Sequence, residues 1–297
     1  MKIIALLLLV GTAITVAGLL YFYYWLCPKF ADERVKLVLF HPQKASNIDS
    51  ALLTLQGIKA KEVEFESFNS NDRLHGIFYK KPDSEFIVLF SHGNGGNLNC
   101  CSTFFEAVLK SGVSLFAYDY RGYGMSEGEP SVPGIVNDAK AAYDYVNKRL
   151  DFDGSKIILY GSSLGGGVTT QLAMARKCKA IMLDSTFVSP EILAKERFSL
   201  MRIYPSSLWF EPNLDNLKYV RHNQTPILIM TAKTDNVIPS SHSQRLYKSA
   251  VGQKSLRVFK NSKHADFSKD FDIYSNAIID FIAKQTSKNC LTASVSH

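Results

Sequence analysis

The chain has 297 residues, 46% hydrophobic and 21% charged, a composition that is ordinary for a globular protein. Its net charge of +7 comes from scattered Lys and Arg with no basic stripe interleaved with aromatics, which argues against a nucleic-acid partner and fits at most a weak attraction to anionic head groups. Five cysteines form neither an even set nor a Cys/His cluster, so reduced thiols are expected, with no metal and no cofactor.

Residues 3–26 read IIALLLLVGTAITVAGLLYFYYWL and carry no charge. The run is long enough to span a hydrocarbon core of ~30 Å, and it closes on Tyr21, Phe22, Tyr23, Tyr24 and Trp25, an aromatic belt suited to the interface. A cleaved signal peptide is the competing reading. Its apolar core would span ~7–15 residues before a small-residue cleavage site, whereas here the run continues past Ala17-Gly18. A single-pass anchor over residues 1–30 is therefore predicted. Lys29, Arg34 and Lys36 after the span, against Lys2 before it, favour a cytoplasmic side for the domain C-terminal to the anchor.

Beyond the anchor, residues 62–68 and 74–79 alternate around the turn Asn69-Ser70-Asn71-Asp72 and predict an antiparallel pair. Short apolar runs follow at 86–90, 113–118, 156–160, 180–183, 226–231 and 256–259, as expected of strands buried on both faces. Helical stretches lie between or after them at 101–110, 135–149, 164–176, 240–249 and 269–284. This alternation predicts an α/β fold with a mostly parallel eight-stranded sheet flanked by helices, over residues 31–286. Residues 187–223 are longer than a crossover needs, and are read as a small cap or a long crossover. Residues 287–297 read as a tail.

The strand at 156–160 runs into Gly161-Ser162-Ser163-Leu164-Gly165 and then a helix. A small–x–Ser–x–small turn between strand and helix is the pattern of a nucleophile elbow, in which tight geometry exposes the serine hydroxyl and the helix start offers backbone N–H groups. The alternative is a Gly/Ser-rich turn without chemistry, so the flanking residues decide. Ser163 needs a base. His264 is the one histidine between the last strand and the last helix, whereas His41 and His75 precede the elbow, His222 precedes a strand, His242 falls within a helix and His297 in the tail. Asp235, in the loop after the strand at 226–231, is the candidate acid, with Asp184 as its competitor; Asp266 reads as a cap of the final helix. The oxyanion donors would be the N–H of Leu164 and, from the loop His92-Gly93-Asn94-Gly95-Gly96-Asn97, that of Asn94.

These residues, with Tyr118-Asp119-Tyr120-Arg121-Gly122-Tyr123-Gly124, Ser126-Glu127-Gly128 and Asp235 with Val237 and Pro239, stand in an order that resembles the α/β-hydrolase superfamily. The resemblance is greatest to the Bem46-like single-pass membrane hydrolases, which are related to the alpha/beta-hydrolase domain proteins. It covers residues 35–285. The chain departs from the common pattern at Ser162, at Thr231-Ala232 and at Lys263, changes that bear on pocket shape. The resemblance implies hydrolysis of carboxylic esters or thioesters, with acylated lipids or proteins as substrates. It also implies that Tyr120, Arg121 and Gly122 brace a loop. A peptidase with the same residues and a non-catalytic membrane scaffold are the alternatives.

Overall fold

The computed structural model describes residues 2–286, so the predicted tail at 287–297 lies outside the described residues. α1 (Lys2–Leu26) has no buried residue and is long and apolar enough to cross a membrane. A 3₁₀ turn, Pro28–Phe30, leads into α2 (Asp32–Leu39). The body then runs β1 (Thr54–Leu55), β2 (Ile58–Glu66), β3 (Arg73–Tyr79), β4 (Ile87–Ser91), α3 (Ser102–Lys110), β5 (Ser114–Tyr118), α4 (Val132–Arg149) and β6 (Ile157–Ser162). It continues with α5 (Leu164–Ala175), β7 (Ala180–Asp184), α6 (Pro190–Arg197), α7 (Asn216–His222), β8 (Ile227–Ala232), α8 (Ser240–Ser249), β9 (Lys254–Phe259) and α9 (Phe271–Thr286).

The main sheet has the order β9-β8-β7-β6-β4-β5-β3-β2-β1 among the described residues. Strands β4 to β9 pair in parallel. β3 is antiparallel to both β5 and β2, and β1 to β2, so the sheet is mixed with a parallel majority. The ninth strand, beyond the eight predicted, is the two-residue edge β1, too short to read as a hydrophobic run.

The parallel strands alternate strictly between two cores. Ile87, Leu89, Ile157, Leu159, Ile181 and Leu183 face α4, α5, α7 and α8. Val88, Phe90, Ile158, Tyr160, Met182 and Met230 face α3 and α9. Each fully buried aliphatic contributes about 1.5–3 kcal/mol relative to exposure, which explains why uninterrupted apolar runs mark these strands. α4 starts three residues before its apolar period does. Ser131 accepts the Gly134 N–H as N-cap, and Pro133 is tolerated in the first turn.

The segment 187–223 resolves into α6, two 3₁₀ turns (Ser199–Ile203 and Ser206–Leu208) and α7. α7 is the crossover helix, packed on α5 and α8. The stretch before it packs against the end of α1. The Tyr204 ring lies 4.9 Å from that of Tyr23, and its hydroxyl donates to the Tyr23 carbonyl at 2.8 Å. Tyr204 and Trp209 are buried, whereas Phe198, Leu200 and Ile203 are exposed.

One buried ion pair ties the loop after β5 to the body. The Arg121 guanidinium donates to Asp138 Oδ1 at 2.8 Å and to Ser67 Oγ at 2.6 Å, and its backbone N–H donates to Asp138 Oδ2 at 2.9 Å. Asp138 is fully buried. Removing one partner of such a pair strands the other charge, so Asp138→Ala should destabilise the fold by about 3–5 kcal/mol, measured by urea unfolding.

Candidate active site

The parallel strands end along one edge of the sheet, and the loops after β4, β6, β7, β8 and β9 converge there. β4 and β6 are neighbours, and the chain reverses its winding direction between them. Open α/β sheets place their crevice at such a switch point. Ser163 follows β6, and the loop 92–97 follows β4.

Ser163 sits at φ 54°, ψ −116°, in positive-φ backbone space that costs a non-glycine residue about 1–3 kcal/mol. Packing enforces it. A Cβ on Gly161 would lie 2.2 Å from the Gly165 carbonyl oxygen, and one on Gly165 would lie 2.0 Å from that of Ser91. The small residues at both ends of the pentapeptide are therefore steric necessities. The residues after β7 clamp the turn. The Ser163 N–H donates to the Asp184 carbonyl at 2.8 Å, and the Thr186 hydroxyl donates to the Ser163 carbonyl at 2.7 Å.

His264 and Asp235 come to this serine from loops 101 and 72 residues further along the chain. His264 Nε2 is 3.0 Å from Ser163 Oγ, and His264 Nδ1 is 2.7 Å from Asp235 Oδ2. The Asp235 carboxylate also accepts the N–H groups of Val237 and Ile238 at 2.9 and 2.8 Å on Oδ1. A carboxylate so placed makes Nδ1 the protonated nitrogen of a neutral His264, leaving the Nε2 lone pair for the Ser163 hydroxyl. The Asp235 side chain is fully buried, and that of His264 is 17% exposed.

Asp184, the competing acid, occupies a different environment. It is wholly buried under the elbow, with the Tyr160 and Ser162 hydroxyls each 3.4 Å from Oδ2. Burial pushes its carboxyl up to about 8. It supports the turn by its main chain and makes no hydrogen bond to His264.

Asn94, in the loop after β4, and Leu164 are the expected oxyanion donors. Leu164 opens α5 directly after the serine. A Cβ on Gly93 would lie 3.5 Å from the Ser163 Cβ, so the peptide joining Gly93 to Asn94 lies near the serine. His92 orients that peptide: its Nδ1–H donates to the Gly93 carbonyl at 2.8 Å, while the Tyr120 N–H approaches Nε2 at 3.4 Å. Burial lowers His92 to about 4, so the ring is neutral and its 3.5 Å approach to Asp119 is not an ion pair. Tyr120 and Tyr123 hydroxyls donate to the carbonyls of His92 and Asn94.

Several supporting residues were not legible in the sequence. Ser185 accepts the Ala265 N–H at 3.3 Å and joins the elbow to the His264 loop. Asp270 accepts from Asn261 and Ser262, bracing that loop from the other end. Asp184-Ser185-Thr186 at a strand's carboxyl end was the available signal. Asp266 accepts the Ser268 N–H at 3.1 Å at the start of the 3₁₀ turn Ser268–Asp270, which precedes α9, and does not cap the helix itself.

A family model described as serine aminopeptidase, S33, matches residues 82–217. YfhR of Escherichia coli K12 is 30% identical over 234 residues, covering 75% of this chain and 80% of that protein. YfhR of Salmonella typhi is 33% identical over 249 residues, covering 74% and 82%. Human alpha/beta hydrolase domain-containing protein 17C is 32% identical over 193 residues, covering 64% and 56%. Among solved structures, the Pyrococcus furiosus esterase Pf2001 superposes with a TM-score of 0.69 at 18% identity, covering 84% of this chain and 98% of that one. Fold, site geometry and relatives define a hydrolase. The chain belongs to the α/β-hydrolase superfamily, among its Bem46-like and alpha/beta-hydrolase-domain members.

The raised Asp184 carboxyl has a consequence for stability. The folded state keeps its proton up to about 8, whereas the unfolded chain releases it near 3.8. The folded state therefore binds more protons between these values, and this group's contribution to stability falls as pH rises through that window. Asp184→Asn removes the titration. Its melting temperature relative to wild type should rise progressively from pH 4 to pH 8. A pH-independent difference in calorimetry would contradict the assignment.

Proposed function

We propose that the protein is a membrane-anchored serine hydrolase that cleaves carboxylic ester or thioester bonds through an acyl-enzyme. The observation that carries this reading is the continuous relay from Ser163 Oγ to His264 Nε2 and from His264 Nδ1 to Asp235 Oδ2. In the proposed cycle His264 removes the Ser163 proton as Oγ attacks the acyl carbonyl. The N–H groups of Asn94 and Leu164 receive the negative charge that develops on the oxygen, aided by the α5 dipole. His264 then protonates the leaving group. Water, activated by the same imidazole, releases the acid, and Asp235 holds the ring orientation throughout. His92 acts on the oxyanion donor through the Gly93 carbonyl. The atoms balance as one water consumed per ester bond cleaved, with no cofactor.

Two of the similar solved structures are described as esterases, from Pyrococcus furiosus and Rhodothermus marinus, which supports the ester reading. The proposed organisation is an anchor over residues 1–30, a catalytic domain over 31–286 and a cap-like excursion within 187–223. The anchor reading rests on α1, whose apolar side chains are exposed along its length. The flanking Lys29, Arg34 and Lys36 favour a cytoplasmic catalytic domain. The substrate class is acyl esters or thioesters, of lipids or acylated proteins.

The matched family's description favours a second reading, an aminopeptidase with the same three residues. Turnover of aminoacyl amides without turnover of acyl esters would select it.

A fluorophosphonate should label the full-length protein, and Ser163→Ala should abolish labelling. Labelling that persists in that variant sinks the nucleophile assignment. On an ester panel of increasing chain length, Asp235→Asn should lower kcat on the order of 10⁴-fold by reversing the His264 tautomer, whereas Asp184→Asn should leave kcat far less affected.

A further inference from the structure

A groove of about 330 Å³ runs between α2 and the excursion after α6, within the range of about 300–1,000 Å³ typical of small-molecule sites. One wall is Leu26, Val35 and Leu39; the other includes Ala194, Met201 and Phe210. Neither Ser163 nor His264 lines it, so it is separate from the candidate active site.

Two observations indicate what it holds. The lining is almost wholly apolar, yet it contains two N–H donors with no hydrogen-bond partner among the described residues, Trp209 Nε1 and Arg34 Nε. Trp209 is 6% exposed, so its donor is shielded from bulk water. An unpartnered buried donor is unfavourable and calls for an acceptor. A fitting ligand therefore has a hydrocarbon tail and a few oxygen acceptors. The second observation is location. Leu26, the last residue of α1, forms part of the wall. Val38 and Phe198, on opposite sides of the groove, are 66% and 60% exposed, and Leu37 and Ile203 continue the same apolar rim. Exposed Lys29 and Arg202 sit on the adjoining turns.

We propose that this groove binds an acyl chain of a bilayer phospholipid, whose ester oxygens accept from Trp209 Nε1 and Arg34 Nε. The proposal rests on the reading of α1 as a membrane span. If α1 crosses the bilayer, its C-terminal end brings the groove mouth to the interface, where acyl esters reside and where an apolar rim is stabilised by burial. The lipid then bridges anchor and excursion and holds the hydrolase body against the membrane.

The chain has two tryptophans, Trp25 at the end of α1 and Trp209 in the groove. This allows each reading to be tested in the full-length protein, reconstituted in phosphatidylcholine nanodiscs with and without acyl-chain-brominated phosphatidylcholine. In W25F, Trp209 should lose most of its emission on bromination, and adding V38D and F198D at the exposed rim should restore it. In W209F, Trp25 should be quenched with or without the rim changes. Trp25 quenched while Trp209 is unaffected would overturn the groove proposal and leave the anchor standing. Trp209 quenched equally with the rim changes would also overturn it, because contact would then be with bulk bilayer. If neither tryptophan is quenched, the anchor reading fails and the groove proposal with it.

Discussion

The structure turns on the forced backbone of Ser163. Strand β6, helix α5 and the end of β4 approach so closely that positions 161 and 165 admit no side chain, and Ser163 between them sits at positive φ. That conformation is unfavourable by itself. It persists because the residues after β7 hold the Ser163 amide and carbonyl, and because the β4 loop closes over the other side. Each of these supports comes from a neighbouring strand of the parallel sheet. The strain at one residue thus depends on the register of β4, β6 and β7 together.

The same crowding places two carboxylates in different surroundings. Asp184 lies beneath the turn without compensating charge, and burial raises its carboxyl to about 8. Asp235 is also buried but accepts two backbone N–H groups and the His264 Nδ1–H, so it is provided for as an acceptor. Asp184 ends β7 and Asp235 follows the neighbouring β8, and of the two only the Asp235 carboxylate accepts backbone N–H groups. A parallel division holds in the β4 loop. The neutral His92 donates its single ring proton to the Gly93 carbonyl and so holds the peptide that lies near Ser163.

A second centre of organisation lies away from this site. The excursion after α6 buries Tyr204 and Trp209 near the end of α1 and leaves Phe198 and Ile203 exposed. Aromatics in such a segment are expected to form core, and here they divide. Tyr204 and Trp209 are buried, whereas Phe198 forms part of the groove's rim. The excursion is thus tied to the N-terminal helix as well as to the hydrolase body.

Local information was enough for much of this. The uncharged run at 3–26, the apolar runs of the parallel strands and the Gly-x-Ser-x-Gly turn are each set by neighbours within a few residues, through hydrophobic periodicity and steric exclusion. Strand β1 and the start of α4 escaped because a two-residue edge has no period and a side-chain cap overrides one. Ser163, Asp235 and His264 could each be singled out by loop position and chain order. Whether their atoms meet, and which of Asp184 and Asp235 faces the imidazole, depends on the angle at which strands far apart in sequence deliver their loops. The Ser185–Ala265 link and the groove between α2 and the excursion arise from such distant pairings. Sequence alone determined the parallel strands, the helices between them, their order and the residue types at the sheet's carboxyl edge. Only the tertiary structure decided the hydrogen-bond partners and the burial that sets each group's proton, because both are properties of surfaces made by residues that are not neighbours in the chain.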